Sequence, residues 1–272
     1  YFNKKRYLVF LINLIIIIKI IPFFNTFANI IFLDVSQGDS MLYITKNQSK
    51  VYMFDTGGIR NRSVSDNSLM YLKSLGISKI DYLILTHGDF DHCGDAENVI
   101  NKFKVKNVIF NNDGFKPLEK NIINILNKKN ILYYKSKDVS LPNITFLNTM
   151  LFDNENDNSI VTLINESGLR FLLMGDAGKD TENAIMNKYI LKDITILKVG
   201  HHGSITSSTK TFINYIKPKF SIISVGKKNR FGHPNKEVLN NLKQSKVYRT
   251  DQDGSIMFKI KNDKLKIKTC SS

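Results

Sequence analysis

The chain has 272 residues, of which 42% are hydrophobic and 23% charged. That length and apolar content suffice for a single α/β sandwich with a sizeable core, and they exclude a low-complexity or unfolded chain. The formal net charge is +15 and there are two cysteines, Cys93 and Cys270, which excludes both a disulfide framework and a zinc-finger pattern.

Lys4, Lys5, Arg6 and Lys19 precede residue 29, where there are no acids, so the rest of the chain carries +11. A surplus of that size favours polyanionic partners, such as DNA or anionic envelope polymers, over neutral ones. The plainer account is a solvated lysine-rich surface, and the charge gains weight only if the active site itself points to phosphate.

Residues 7–24 are nearly all apolar and follow the basic run Asn3-Lys4-Lys5-Arg6. This reads as a membrane-targeting segment, either a signal peptide cleaved near Thr26-Phe27-Ala28 or a retained anchor. Either way the basic cluster stays cytoplasmic and everything after residue 29 is expected outside the cytoplasm, membrane-anchored or secreted. The expected division is residues 1–28 as anchor or signal and residues 29–272 as one catalytic domain.

From there the chain alternates short apolar runs with amphipathic stretches. Strands are expected over residues 30–35, 41–45, 51–54 and 82–85, and a helix over 68–75 that Gly76 ends. Residues 96–103 and 118–127 read as helices flanking a strand at 108–110. Strand character returns at 144–147, 160–165 and 171–174, then a helix at 180–189 and a strand at 194–199. Helices at 209–215 and 236–242 alternate with strands at 221–225 and 246–249, and strands at 256–260 and 265–268 close the chain. Strands and helices mixed throughout, with no internal repeat and no second domain, imply two sheets covered by helices.

The five histidines are His87, His92, His201, His202 and His233. Each sits in a loop just after an expected strand, beside Gly or an acid, and none lies on an apolar helix face. His87-x-Asp89-x-Asp91-His92 places four ligand-type side chains in six residues, a strong metal signal. Met174-Gly175-Asp176-Ala177 puts a carboxylate at another strand end, a weak signal by itself. Val199-Gly200-His201-His202-Gly203-Ser204 adds a pair of histidines between glycines. Cys93, next to His92, reads as a small apolar residue at a helix start, and Cys270 as part of a frayed end.

These segments, together with Phe32–Ser40 (FLDVSQGDS), Phe54–Gly58 (FDTGG), Asn158–Val161, Ser224–Gly226, Gly232–Pro234 and Tyr248–Gly254, resemble the metallo-β-lactamase fold superfamily. Within it the chain is similar to the ComEC/Rec2 competence branch, and the matching segments cover nearly all of residues 30–260 in order.

The resemblance implies an α/β fold, an αβ/βα four-layer sandwich with metals at the strand ends. It implies two divalent ions, with His87 and Asp89 on one, Asp91, His92 and His201 on the other, and Asp176 between them. It implies that Asp55 orients the ligands from behind. Where the superfamily usually has a histidine, this chain has Asp89. No histidine stands between His92 and His201, and Asn158-Ser159 occupies that region instead. The set is richer in oxygen than a zinc site, which shifts the expected metal toward manganese, with zinc and magnesium still open. Such a pair suits hydrolysis of a phosphodiester, with DNA during uptake as the expected substrate.

Near the leaving oxygen the candidates are His202, Ser204 and His233, with Asp91 serving catalysis as well as metal binding. Lys198 and Lys228, with Lys227 and Arg230, are candidates to hold a nucleic-acid backbone, whereas Arg249 reads as structural. Hydrolysis of another phosphodiester, such as a phosphorylcholine ester, is the competing enzymatic reading. A non-catalytic, membrane-anchored DNA-binding module is the third. No obligate protein partner is evident from the sequence.

Overall fold

A computed structural model describes residues 2–20, 26–60, 63–147 and 149–270. The first half runs α1 (Phe2–Ile20), β1 (Ala28–Phe32), β2 (Met41–Ile44), β3 (Val51–Phe54), α2 (Ser65–Ser74), β4 (Lys79–Ile80), β5 (Tyr82–Leu85), α3 (Phe90–Cys93), α4 (Ala96–Lys102), β6 (Lys104–Val105), β7 (Asn107–Phe110), α5 (Pro117–Lys128) and β8 (Leu132–Lys135). The second half runs β9 (Ile144–Phe146), β10 (Thr162–Glu166), β11 (Leu169–Leu173), α6 (Lys179–Lys188), β12 (Ile196–Lys198), α7 (Lys210–Ile216), β13 (Phe220–Ile223), α8 (Lys236–Asn241), β14 (Lys246–Arg249), α9 (Thr250–Asp253), β15 (Ser255–Lys261) and β16 (Lys264–Cys270).

Two large sheets result, ordered β16-β15-β1-β2-β3-β5-β7-β8 and β14-β13-β12-β11-β10-β9. Strand faces explain how they stack. Ile30, Phe32, Tyr43, Tyr52, Ile84 and Phe258 of the first sheet meet Ile164, Phe171, Ile196 and Ile222 of the second in one buried layer. The opposite face of the first sheet, with Leu42, Met53, Leu83 and Val108, packs under Leu69, Leu72, Val99 and Leu126 of α2, α4 and α5. The opposite face of the second, with Leu172 and Leu197, packs under Ile185, Phe212 and Val238 of α6, α7 and α8. The architecture is therefore an αβ/βα four-layer sandwich, as the sequence implied. Strands buried on both faces need apolar side chains at successive positions, which is why β2, β3 and β5 are short unbroken apolar runs rather than alternating ones.

Element boundaries depart from the sequence reading by a few residues, and three strands escaped it. β4 and β6 are two residues each and pair only with one another. β8 is the edge strand of its sheet, and Leu132, Tyr133 and Tyr134 are all exposed, so it carries no buried face to read. α2 begins at Ser65, three residues early. Cys93 packs fully buried at the end of α3, as expected, whereas Cys270 belongs to β16 rather than to a frayed end; both are free thiols.

The described part of the expected membrane-targeting stretch is helical. α1 has 19 residues, and Lys4, Lys5, Arg6 and Lys19 leave an apolar run of only Tyr7–Ile18. Among the described residues no helix is long and apolar enough to cross a membrane. Residues 21–24 of the expected span lie outside the described residues.

β3 and β5 run parallel, as do β11, β12 and β13. Their carboxyl ends open into the loops that carry Asp55, Thr86–His92, Asp176, His201–His202 and Ser224. The fold thereby gathers side chains from both sheets at one edge of the sandwich.

Candidate metal centre

The loop after β5 is fixed from several sides. The Asp55 carboxylate accepts hydrogen bonds from the Thr86 backbone N–H (2.8 Å) and hydroxyl (2.7 Å). The loop after β1 packs against α3, where the Asp39 N–H donates to the Asp91 carbonyl at 3.1 Å. Gly38 makes that approach possible. Its φ is +123°, and a Cβ there would sit 2.1 Å from the Asp91 carbonyl oxygen.

Three imidazoles converge, each turned by what its Nδ1 meets. Nδ1 of His92 lies 2.8 Å from an Asp55 oxygen, that of His202 lies 2.9 Å from the Ser224 carbonyl, and that of His87 lies 3.1 Å from the Thr86 hydroxyl. Bonds of this kind fix ring orientation and leave Nε2 free to face the centre. The His87 and His92 rings are 4.2 Å apart and those of His92 and His202 are 5.3 Å apart. Asp176 stands between, with one oxygen 3.1 Å from His92 Nε2 and the other 3.5 Å from His202 Nε2. Asp91 lies 3.3 Å from His202 Nε2.

Among the described residues three groups of three donors share His92, and two of them face the centre: His87, His92 and Asp176, then Asp91, His92 and His202. Each can hold a metal ion. The fit is supported by their unmet polar atoms. Nε2 of His87, His92 and His202 and one Asp176 oxygen are buried without a hydrogen-bond partner. An uncompensated buried polar atom costs about 1–3 kcal/mol. Four of them in one cluster approach the ~5–15 kcal/mol net stability of a whole domain. Cations placed among the four remove that cost.

Charge within the cluster is strongly coupled. Burial disfavours a charged His92, yet the Asp176 and Asp55 carboxylates hold it well above the ordinary histidine value. Burial disfavours a charged Asp91 as well, but His202 and His92 hold its carboxyl far below the usual range.

The adjacent histidines part ways. Both occupy the left-handed region, at φ 45° for His201 and 52° for His202. Two successive residues in that conformation are strained by about 1–3 kcal/mol each. The turn sends the His202 ring into the buried cluster and leaves the His201 side chain at the rim, 26% exposed. His201 Nε2 is 3.7 Å from Asp176, and its Nδ1 lies 3.2 Å from the Thr206 hydroxyl. The structure thus brings His202, not the expected His201, against Asp91. Sequence alone could not choose between neighbouring histidines, because the choice is made by backbone conformation.

Other expected residues land as follows. Asp89 lies 3.5 Å from His87 Nε2 with a side chain 48% exposed, at the open edge of the cluster. His233 is partly buried, its ring 5.7 Å from that of His201. Ser204 is turned away, its hydroxyl accepting from the Thr206 hydroxyl at 3.0 Å. Lys228 is exposed. Lys198 is a correction: it is buried, and its ammonium donates to the Val199 carbonyl and pairs with Asp39 at 2.5 Å. A lysine so engaged cannot grip a polymer backbone at the surface. Ser159 supports the Asp176 loop, since the Asp176 N–H donates to its hydroxyl at 3.2 Å, whereas the Asn158 side chain bonds the Phe152 backbone and Asp113 instead. Arg249 pairs with both oxygens of Asp251, as a structural residue would.

Asp39 is the residue the sequence reading missed. It is buried, with an oxygen 3.5 Å from His202 Nδ1 and the other against Lys198. Its signal was the Ser36–Ser40 turn directly after β1.

Residues 33–227 match the Metallo-beta-lactamase superfamily. The chain is 32% identical over 267 residues to ComE operon protein 3 of Bacillus subtilis (strain 168), covering 89% of this chain and 34% of that protein. It is 27% identical over 232 residues to competence protein ComA of Neisseria gonorrhoeae, covering 83% of this chain and 31% of that protein. Recombination protein 2 of Haemophilus influenzae (strain ATCC 51907 / DSM 11121 / KW20 / Rd) is 29% identical over 239 residues, covering 86% of this chain and 29% of that protein. The chain spans about a third of the length of these relatives. Among solved structures, CmlA, a diiron β-hydroxylase from Streptomyces venezuelae, superposes with a TM-score of 0.54 at 10% identity, over 86% of this chain and 54% of that one. A diphosphatase of the PhnP family does so with a TM-score of 0.50 at 13% identity, over 80% of this chain and 94% of that one. At such identities the two structures speak for the fold alone. From matched residues, sandwich topology and competence-protein relatives together, the chain belongs to the metallo-beta-lactamase superfamily.

Proposed function

We propose that the chain is a metal-dependent phosphodiesterase that cuts DNA. The observation that carries this reading is the cluster in which two carboxylates, Asp91 and Asp176, lie 3.1–3.5 Å from the Nε2 atoms of His92 and His202, with the His87 ring beside them. The ligand set we assign is His87, Asp89 and Asp176 on one side, and Asp91, His92, His202 and Asp176 on the other. Its oxygen content favours manganese over zinc. A pair of divalent ions held there supplies a water of lowered pKa and positive charge for the phosphoryl oxygens.

The protein's own residues do the rest. Asp55 and the Ser224 carbonyl fix the His92 and His202 tautomers. Asp91 and Asp176 provide the negative charge that a doubly cationic centre needs. At the rim, burial pulls the His201 pKa below the usual histidine value, so the ring is neutral at pH 7. Its Nδ1 lies 3.2 Å from the Thr206 hydroxyl oxygen, and its Nε2, at the rim beside Asp176, is placed to exchange a proton with a phosphate or leaving oxygen. In this reading His201 is the substrate-facing histidine and His202 the ligand.

DNA is favoured over a small phosphodiester by the rim, where Lys228 and Arg230 are exposed beside the histidine loops, and by the competence-protein relatives. Localisation follows as part of the same proposal. Tyr7–Ile12, Leu14 and Ile15 are exposed on all sides of α1, except for the polar Asn13. A helix apolar all round needs an apolar surrounding. We place α1 against a membrane with the catalytic domain outside the cytoplasm.

The test is hydrolysis by the purified chain with manganese, offered DNA and a phosphorylcholine ester. DNA cleavage that Asp91→Asn abolishes is expected. Cleavage of the ester with DNA left whole supports the competing reading, and intact DNA with every divalent ion tried sinks the proposal.

A further inference from the structure

The loop that carries His233 presents an aromatic surface beside the metal centre. Phe231 is 57% exposed. Its ring stacks on that of His233, with centroids 5.7 Å apart and planes 24° apart. His233 in turn meets His201 edge-on at 5.7 Å, and His201 Nε2 lies 3.7 Å from Asp176. A continuous line of rings therefore runs from solvent to the buried carboxylate.

The loop is held rigidly. The Asn229 amide donates to the Gly226 and His233 carbonyls, and its oxygen accepts from the His233 N–H. The Asn235 N–H donates to the Gly203 carbonyl at 2.8 Å, which fastens the loop to the turn bearing His201 and His202. Gly203, at φ +81°, has no room for a Cβ, which would come within 2.7 Å of Pro234. A clamped loop that keeps a large ring in water gains nothing for the core. The arrangement makes sense if the ring has a partner.

We propose that Phe231 is the platform on which a nucleobase next to the reacting phosphodiester stacks, so that the substrate is a nucleic acid with unpaired bases. This rests on the phosphodiesterase reading above and names its substrate class. Base stacking on an aromatic side chain tolerates any sequence, because every base has a π-face. The charge of the loop selects against the other ligand an aromatic rim attracts, a quaternary ammonium group. The Arg230 guanidinium already lies 5.4 Å from the centre of the Phe231 ring, and Lys228 is exposed three residues away. Those cations repel a choline headgroup and attract the phosphates on either side of a base.

The experiment measures binding of a ten-nucleotide single strand and of the same backbone with its bases removed, by fluorescence anisotropy, with chelator present so that nothing is cut. The whole chain binds the base-bearing strand on the order of tenfold more tightly, a ratio set by stacking. Phe231→Ala brings the ratio close to one, and Phe231→Trp restores it. A ratio that Phe231→Ala leaves unchanged overturns the proposal, as does phosphocholine binding that depends on Phe231 while the two strands bind alike. Cleavage of both strands with manganese is followed in parallel. Intact strands there count against the nuclease reading, whereas equal affinity for the two strands counts against the stacking platform.

Discussion

Nδ1 of His202 lies 2.9 Å from the Ser224 carbonyl oxygen, and that contact holds the ring with its Nε2 toward Asp91 and Asp176. A carbonyl only accepts, so Nδ1 must carry the proton, which leaves Nε2, facing the side of Asp91 and Asp176, to serve a metal held among them. His201, one residue earlier, meets a hydroxyl at the rim instead.

It follows that alanine at the two positions separates binding from turnover. His202→Ala removes a ligand and lowers metal affinity by at least the 10–100-fold typical of losing even an orienting partner. His201→Ala keeps the metal and loses about 10²–10⁴-fold in turnover, the range for a positioned proton donor. Titration with manganese and steady-state cleavage, run on both variants, check the split. The reverse pattern would restore His201 as the ligand.

How much of this was legible beforehand differs by level. The sandwich could be read because strands buried on both faces leave unbroken apolar runs such as Met41–Ile44 and Tyr82–Leu85. β8 could not, since an exposed edge strand has no periodic face. The cluster of His87, Asp91, His92 and Asp176 was visible as spacing at strand ends. The exchange of His201 and His202 was invisible, because it is written in two positive φ angles. Lys198 looked like a surface charge for a similar reason. Nothing local in the sequence reveals that Asp39, 159 residues earlier, waits for it in the interior.

That buried pair makes a second prediction. Asp39 and Lys198 are both nearly inaccessible, so removing either partner strands a charge beside His202. Lys198→Met or Asp39→Asn alone should cost about 3–5 kcal/mol of stability. The double variant should recover a large part of that, because no unpaired charge remains. Urea unfolding of the three variants, analysed as a double-mutant cycle, measures the coupling. Additive losses would mean that the pair is not the unit acting here.

A third prediction concerns pH. Glu182 of α6 is buried and accepts hydrogen bonds from the Ser208 and Thr209 backbone N–H groups and the Thr209 hydroxyl. Burial nevertheless pushes its carboxyl above the usual range. The folded state thus holds this proton more tightly than the unfolded state. Its contribution is fully present below the unfolded value of about 4.3 and is lost as pH rises through the higher folded value. Glu182→Gln cannot titrate. The stability difference between the two proteins should therefore move in favour of the glutamine variant between pH 4 and pH 7. A difference independent of pH in urea unfolding would contradict this.

The dinuclear centre itself is tested most directly by counting manganese ions bound per chain in equilibrium dialysis. The geometry predicts two equivalents, the weaker one at His87 and the half-exposed Asp89, and one or none once Asp176→Asn removes the carboxylate between them. A wild-type chain that binds no more manganese than the Asp176→Asn variant would contradict the account.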